Sequence, residues 1–161
     1  MTQEDDEIVR VTPLGTLRYA IEYFAAAKAV SEKFGDCIPT QFLVGHAIEL
    51  ALKAFLLHQG ETENFIRREL GHDLWECLAA AEKCDFGRHV ALTEDDKATL
   101  EIFNTVYAAK DLEYIETGYR TLIPLSPLQR LARDFLRAVV GVVPMATGFL
   151  KSESGRTLLE E

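Results

Sequence analysis

The chain has 161 residues, 48% apolar and 27% charged, with a formal net charge of −9. That length and apolar share suit one domain with a substantial core. The acidic balance argues against nucleic acid held by overall charge and against anionic membranes, and leaves a local basic patch as the route to RNA.

Three cysteines, Cys37, Cys77 and Cys84, form no disulfide framework. Cys77 and Cys84 fall on one predicted helix, about 10 Å apart along its axis, too far for a bridge. No Cys-x-x-Cys pair is present, so neither a metal site nor a cofactor is expected. The start, MTQEDDEIVR, lacks the basic and apolar regions of a signal peptide. The longest apolar stretch, 138–146, falls short of a membrane span and contains Gly141 and Pro144. The expectation is a cytoplasmic protein with reduced thiols and no membrane partner.

Residues 1–11 read as a tail. Thr12-Pro13 then sets an N-cap and a first helical position where a missing N–H costs nothing. A first helix follows over 13–34, with Leu14, Leu17, Ile21 and Phe24 at helical spacing and Gly35-Asp36 at its end. A second helix is predicted over 40–58. It is apolar almost all round, which marks a central helix. Residues 61–70 suggest a short helix or turn interrupted at Gly71. Asp73 and Glu76 form a capping pair at the head of a third long helix, with Leu70, Leu74, Leu78 and Ala81 facing inward.

A loop is expected at 85–89. Thr93 and Asp96 open the next helix, with Leu100, Phe103 and Tyr107 buried. An irregular connection covers 111–121. Ser126-Pro127 repeats the cap signature of Thr12-Pro13 and starts a last helix to 143, stopped by Pro144. Residues 151–161 read as a second tail. No alternating run reads as a strand. The fold expected is all-α: an up-and-down antiparallel bundle of about five helices, one domain over 12–150.

Four groups of residues stand out. His46, Glu49 and Lys53 sit at i, i+3 and i+7, one polar stripe on an otherwise apolar helix. Burying such groups is costly unless they are paired. The stripe is either a satisfied polar seam or the lining of a ligand cleft. Gly71-His72-Asp73-Leu74 reads as cap chemistry or as a turn presenting a histidine. Asn104, Tyr107, Asp111 and Tyr114 share one face if their helix continues. They form either a hydrogen-bonded bundle edge or a pocket wall shared with His46 and Lys53. Arg130, Arg133 and Arg137 form a basic stripe on the last helix, either a solvated face or a docking face.

The run FLVGHAIELALKAFLLHQG, then GHDLWECL, then Tyr107, Asp111, Leu112 and Tyr114, resembles the HEPN (higher eukaryotes and prokaryotes nucleotide-binding) domains over about 13–140. The resemblance implies an up-and-down bundle, often dimeric, in nucleotide or RNA biology. Such domains act as partners of a minimal nucleotidyltransferase, as toxin–antitoxin components or as RNases. From the polar stripe on an otherwise buried helix, the expectation is a non-catalytic binding module in which Lys53 and His46 face a phosphate and Tyr107 or Tyr114 stacks on a base, with Glu49 and Asp111 beside them. Many HEPN RNases carry an Arg followed by a His five to seven residues on. Arg67 and His72 match that spacing and are the candidates for metal-independent RNA cleavage. A purely structural dimeric adaptor is the third reading.

Overall fold

A computed structural model describes residues 11–114, 117–118, 122–148 and 158–160. Among the described residues the regular structure is entirely helical. Helix α1 spans Pro13–Phe34. The Thr12 hydroxyl accepts the Gly15 N–H at 3.0 Å, and Gly35, at φ 71°, ends the helix.

Helix α2, Ile38–His58, begins two residues ahead of the predicted start. The reason is local. Thr40 has the type of an N-cap, but its hydroxyl points backwards and donates to the Gly35 carbonyl at 3.2 Å. Cys37 takes the N-cap place without a side-chain cap bond. The buried Gln41 amide donates to Asp36 Oδ1 at 3.0 Å and to the Ile123 carbonyl at 2.5 Å. It ties the α1–α2 connection to the segment that leads into the last helix.

A short helix α3, Glu63–Phe65, is capped by Thr62 and passes into a π turn at Ile66–Leu70. Gly71, at φ 52°, breaks it. Helix α4 is Leu74–Lys83, with Asp73 accepting the Glu76 N–H at 3.0 Å. A 3-10 turn at Phe86–Arg88 follows. Helix α5, Glu94–Ala108, opens with a complete capping box between Thr93 and Asp96. Helix α6 spans Leu125–Val142. Its N-cap is Pro124, so Ser126 lies inside the first turn rather than capping it.

α2 is the central element: it packs along α1 and also against α4 and α6. Ala20, Ala27, Ala47, Ala51 and Ala54 are fully buried, and these small residues allow α1 and α2 to approach closely. Phe86, from the 3-10 turn, packs between Phe55 and Phe135, with ring centres 4.8 and 5.3 Å away. Side chains of this size contribute about 1.5–3 kcal/mol each when buried. By length and composition α2 could cross a membrane, yet 67% of its apolar window is buried by the other helices. Part of the predicted C-terminal tail is packed: residues 158–160 are helical and Leu159 is fully buried in the core. Apart from Val11, the remainder of both tails, and 115–116 and 119–121 of the predicted connection, lie outside the described residues.

Candidate functional site

The polar stripe of α2 and the Gly71-His72-Asp73-Leu74 turn form one cluster, which sequence spacing alone does not reveal. Glu49 is its centre and is 1% exposed. Its Oε1 accepts from Lys53 Nζ at 2.6 Å, and its Oε2 accepts from the Tyr107 hydroxyl at 2.6 Å. His72 Nδ1 lies 3.1 and 3.2 Å from the two carboxylate oxygens. His46 Nδ1 lies 3.1 Å from the Tyr107 hydroxyl and 3.6 Å from Oε2. Lys53 Nζ also donates to the Gly71 carbonyl at 2.5 Å.

The turn is held from two helices. α2 grips Gly71 and His72 as above, and α5 grips the next two residues through Asn104. The Asn104 Oδ1 accepts the Leu74 N–H at 2.8 Å, and its Nδ2 donates to Asp73 Oδ1 at 2.9 Å. Asp73 thus caps α4 and receives α5 with one oxygen.

Charge balance follows from this geometry. Burial opposes ionisation of Glu49, but the His46 imidazole, the charge and hydrogen bond of Lys53 and the Tyr107 hydroxyl outweigh it. The carboxyl is held well below its usual range. Burial, then the charge of Glu49 and the hydrogen bond to it, pushes the Tyr107 hydroxyl far above its usual value, so it stays a donor. Burial also pushes the neighbouring Cys77 thiol up to about 12, which leaves it an inert apolar group.

Proton accounting fixes both imidazoles. A carboxylate only accepts, so His72 Nδ1 carries a hydrogen. The single proton of the Tyr107 hydroxyl goes to Glu49, so His46 Nδ1–H is the donor to Tyr107. In the neutral ring each Nε2 is then a lone-pair acceptor, and neither has a hydrogen-bond partner among the described residues. The side chain of His72 is 48% exposed.

His46 forms part of the floor of a cleft of about 340 Å³ between α1 and α2. Thr12, Thr16, Tyr19, Tyr23 and Leu50 line it. Tyr23 meets the His46 ring edge-on at 4.4 Å, and Phe42 stacks on it at 5.8 Å. The tyrosines were not among the residues singled out from sequence. Their spacing of one helical turn on α1 was the available signal.

The other candidates stand apart from this cluster. α5 ends at Ala108, and Lys110 turns the chain at φ 61°. The condition for Asn104, Tyr107, Asp111 and Tyr114 to share a face, a continuing helix, is therefore not met. Asp111 is half-buried in the turn, and Tyr114 is 66% exposed. Arg67 is exposed on the π turn and makes no ion pair or hydrogen bond with the described residues. In the basic stripe of α6, Arg130 pairs with Asp96 at 2.9 Å and Arg137 lies 3.9 Å from Asp134. Arg133 Nε is buried without a hydrogen-bond partner. Among the described residues no group of three or more His, Cys, Asp or Glu is arranged to hold a metal ion. The chain matches no protein-family model, no curated protein and no solved structure.

Proposed function

We propose that the chain is a non-catalytic binding module, a cytoplasmic HEPN-like up-and-down bundle that acts as a homodimer or beside a partner protein and holds a nucleotide-like ligand. The partner class is a nucleotidyltransferase or a toxin–antitoxin component. One observation carries the binding reading: a sealed, ion-paired carboxylate fixes two imidazoles, each with Nε2 left unbonded. Burying an ionised pair costs several kcal/mol, and a helical bundle folds as well on apolar residues there. A costly arrangement of this kind, at the edge of a cleft, is where function is sought first. Within this reading the ligand meets His46. Lys53 acts as the counter-charge that anchors Glu49, because two of its three N–H donors are already used inside the fold.

The test is thermal unfolding with ATP, GTP, cyclic nucleotides and a short RNA. A ligand at 100-fold its Kd adds about 2.7 kcal/mol, so the midpoint should rise by about 5–10 °C. No rise with any of them would leave the structural dimeric adaptor as the better account.

A second reading is favoured by the Glu49–His72 pair. A histidine whose Nδ1–H rests on a carboxylate is oriented for proton transfer at Nε2. In an RNase, Nε2 would take the proton of a ribose 2′-hydroxyl as that oxygen attacks phosphorus. The leaving 5′-oxygen would gain a proton and a 2′,3′-cyclic phosphate would form. Arg67 would face the phosphate charge. This reading predicts growth arrest on overexpression that His72→Ala abolishes. Harmless overexpression of folded protein would count against it.

A further inference from the structure

The geometry points to the α1–α2 cleft as a site for a small, uncharged heteroaromatic ring that is recognised by its faces and one N–H edge rather than by phosphate. This deepens the binding reading and rests on it. Among the described residues the lining carries no carboxylate, lysine or arginine. These residues select an occupant by shape and π surface rather than by charge. Tyr19, Tyr23 and Leu50 offer apolar and π surface, and Thr12 and Thr16 add hydroxyls. That combination, mostly apolar walls with a few polar groups, is the usual make-up of a small-molecule site, and about 340 Å³ is at the lower end of their range.

His46 supplies the directional element. Its Nδ1 edge is taken by Tyr107 and one face by Phe42. Tyr23, itself part of the cleft wall, meets the ring edge-on at 4.4 Å. Nε2 has no hydrogen-bond partner among the described residues and in the neutral ring is the acceptor that His46 can offer a ligand N–H. A ring N–H or exocyclic amino group fits it, as in adenine, uracil or indole. Tyr19, on α1, is 62% exposed and makes no hydrogen bond with the described residues. It is free to lie over such a ring, and aromatic stacking of a base is worth about 1–3 kcal/mol.

His46 also links the cleft to the rest of the cluster. A ligand that pulls on its Nε2 changes the bond from Nδ1 to Tyr107, and hence the bond from Tyr107 to Glu49. His72 shares that carboxylate. Occupancy of the cleft is therefore felt at the exposed turn.

The experiment is a titration of the full chain with free adenine, uracil and indole, and separately with ATP. It is followed by the imidazole Cε1–H signals of the four histidines. At least one free ring should bind and move the His46 signal, with a smaller movement of His72. Tyr19→Ala should weaken that binding about tenfold, while Tyr19→Phe retains it. Tyr19 is a rim residue, so both variants should keep the wild-type thermal midpoint. Binding of ATP without binding of any free ring overturns the inference and leaves the nucleotide reading standing. Ring binding that leaves His46 unmoved, or that Tyr19→Ala does not weaken, overturns the placement in this cleft. No binding of any of the four at millimolar concentration overturns both.

Discussion

Glu49→Ala is expected to destabilise the fold by about 3–5 kcal/mol, because it leaves the Lys53 ammonium half-sealed without its counter-charge. Tyr107 and His72 lose their acceptor in the same step. At this chain length the thermal midpoint should fall by about 6–20 °C. The double variant Glu49→Leu, Lys53→Met should recover much of that loss, since removing both members of a buried pair is far less damaging than removing one. If the double variant is as unstable as the single one, the carboxylate is needed for Tyr107 and the turn more than for Lys53.

Acid titration gives the same point a sign. Glu49 has a folded-state pKa below its ordinary value of 4.5. Its contribution is complete above that value and is withdrawn as the pH falls through the folded one. Wild-type stability should therefore decline steeply below about pH 4.5, and Glu49→Gln should show a flatter decline in the same window. Equal slopes in the two proteins, measured by denaturant unfolding at stepped pH, would remove Glu49 from the account.

The second large effect is at Gly45, on the buried side of α2. A methyl group there would lie 2.6 Å from two ring carbons of Tyr107 and 2.8 Å from the Phe103 ring. Both rings are buried, 4% and 0% exposed, and stack on each other at 5.6 Å. Neither has room to move. Gly45→Ala should destabilise by about 1–3 kcal/mol through overpacking, although alanine is the better helix former by up to about 1 kcal/mol. Gly141→Ala is the control. That position is exposed near the end of α6 and has no neighbour within 4 Å of the added atom. It should gain up to about 1 kcal/mol. Equal effects at the two glycines, read by thermal unfolding, would show that Tyr107 is not wedged against α2.

Much of the fold was legible in the sequence because its signals are local. Thr12-Pro13, Asp73 and Thr93 cap the helices as their types suggest, and the near-continuous apolar run of α2 marks the central helix. Ser126 misled because the last helix already starts at Leu125, which places that hydroxyl inside the first turn instead of at the cap. The site was legible only in pieces. The stripe on α2, the histidine turn and Tyr107 could each be singled out. Their union around one carboxylate depends on how α2, α4 and α5 dock, which no short-range pattern encodes. The face proposed for Asp111 and Tyr114 rested on helix continuation, and the turn at Lys110 ends the helix first. The cleft went unnoticed because Tyr19 and Tyr23 also fit an ordinary amphipathic α1.

The turn between the π segment and α4 is held by local backbone bonds, such as Gly71 N–H to the Ile66 carbonyl and Asp73 N–H to the Leu70 carbonyl, and by side chains from distant parts of the chain. Those side-chain contacts span 18, 23, 30 and 31 residues along the sequence. Closing such loops is entropically unfavourable until the helices that reward it are already in place. The contacts that orient His72 and fix Asp73 and Leu74 therefore exist only once α2 and α5 are packed beside the turn. An early, partly folded chain holds the same residues without the arrangement that gives them meaning, so whatever this surface does is reserved for the completed molecule.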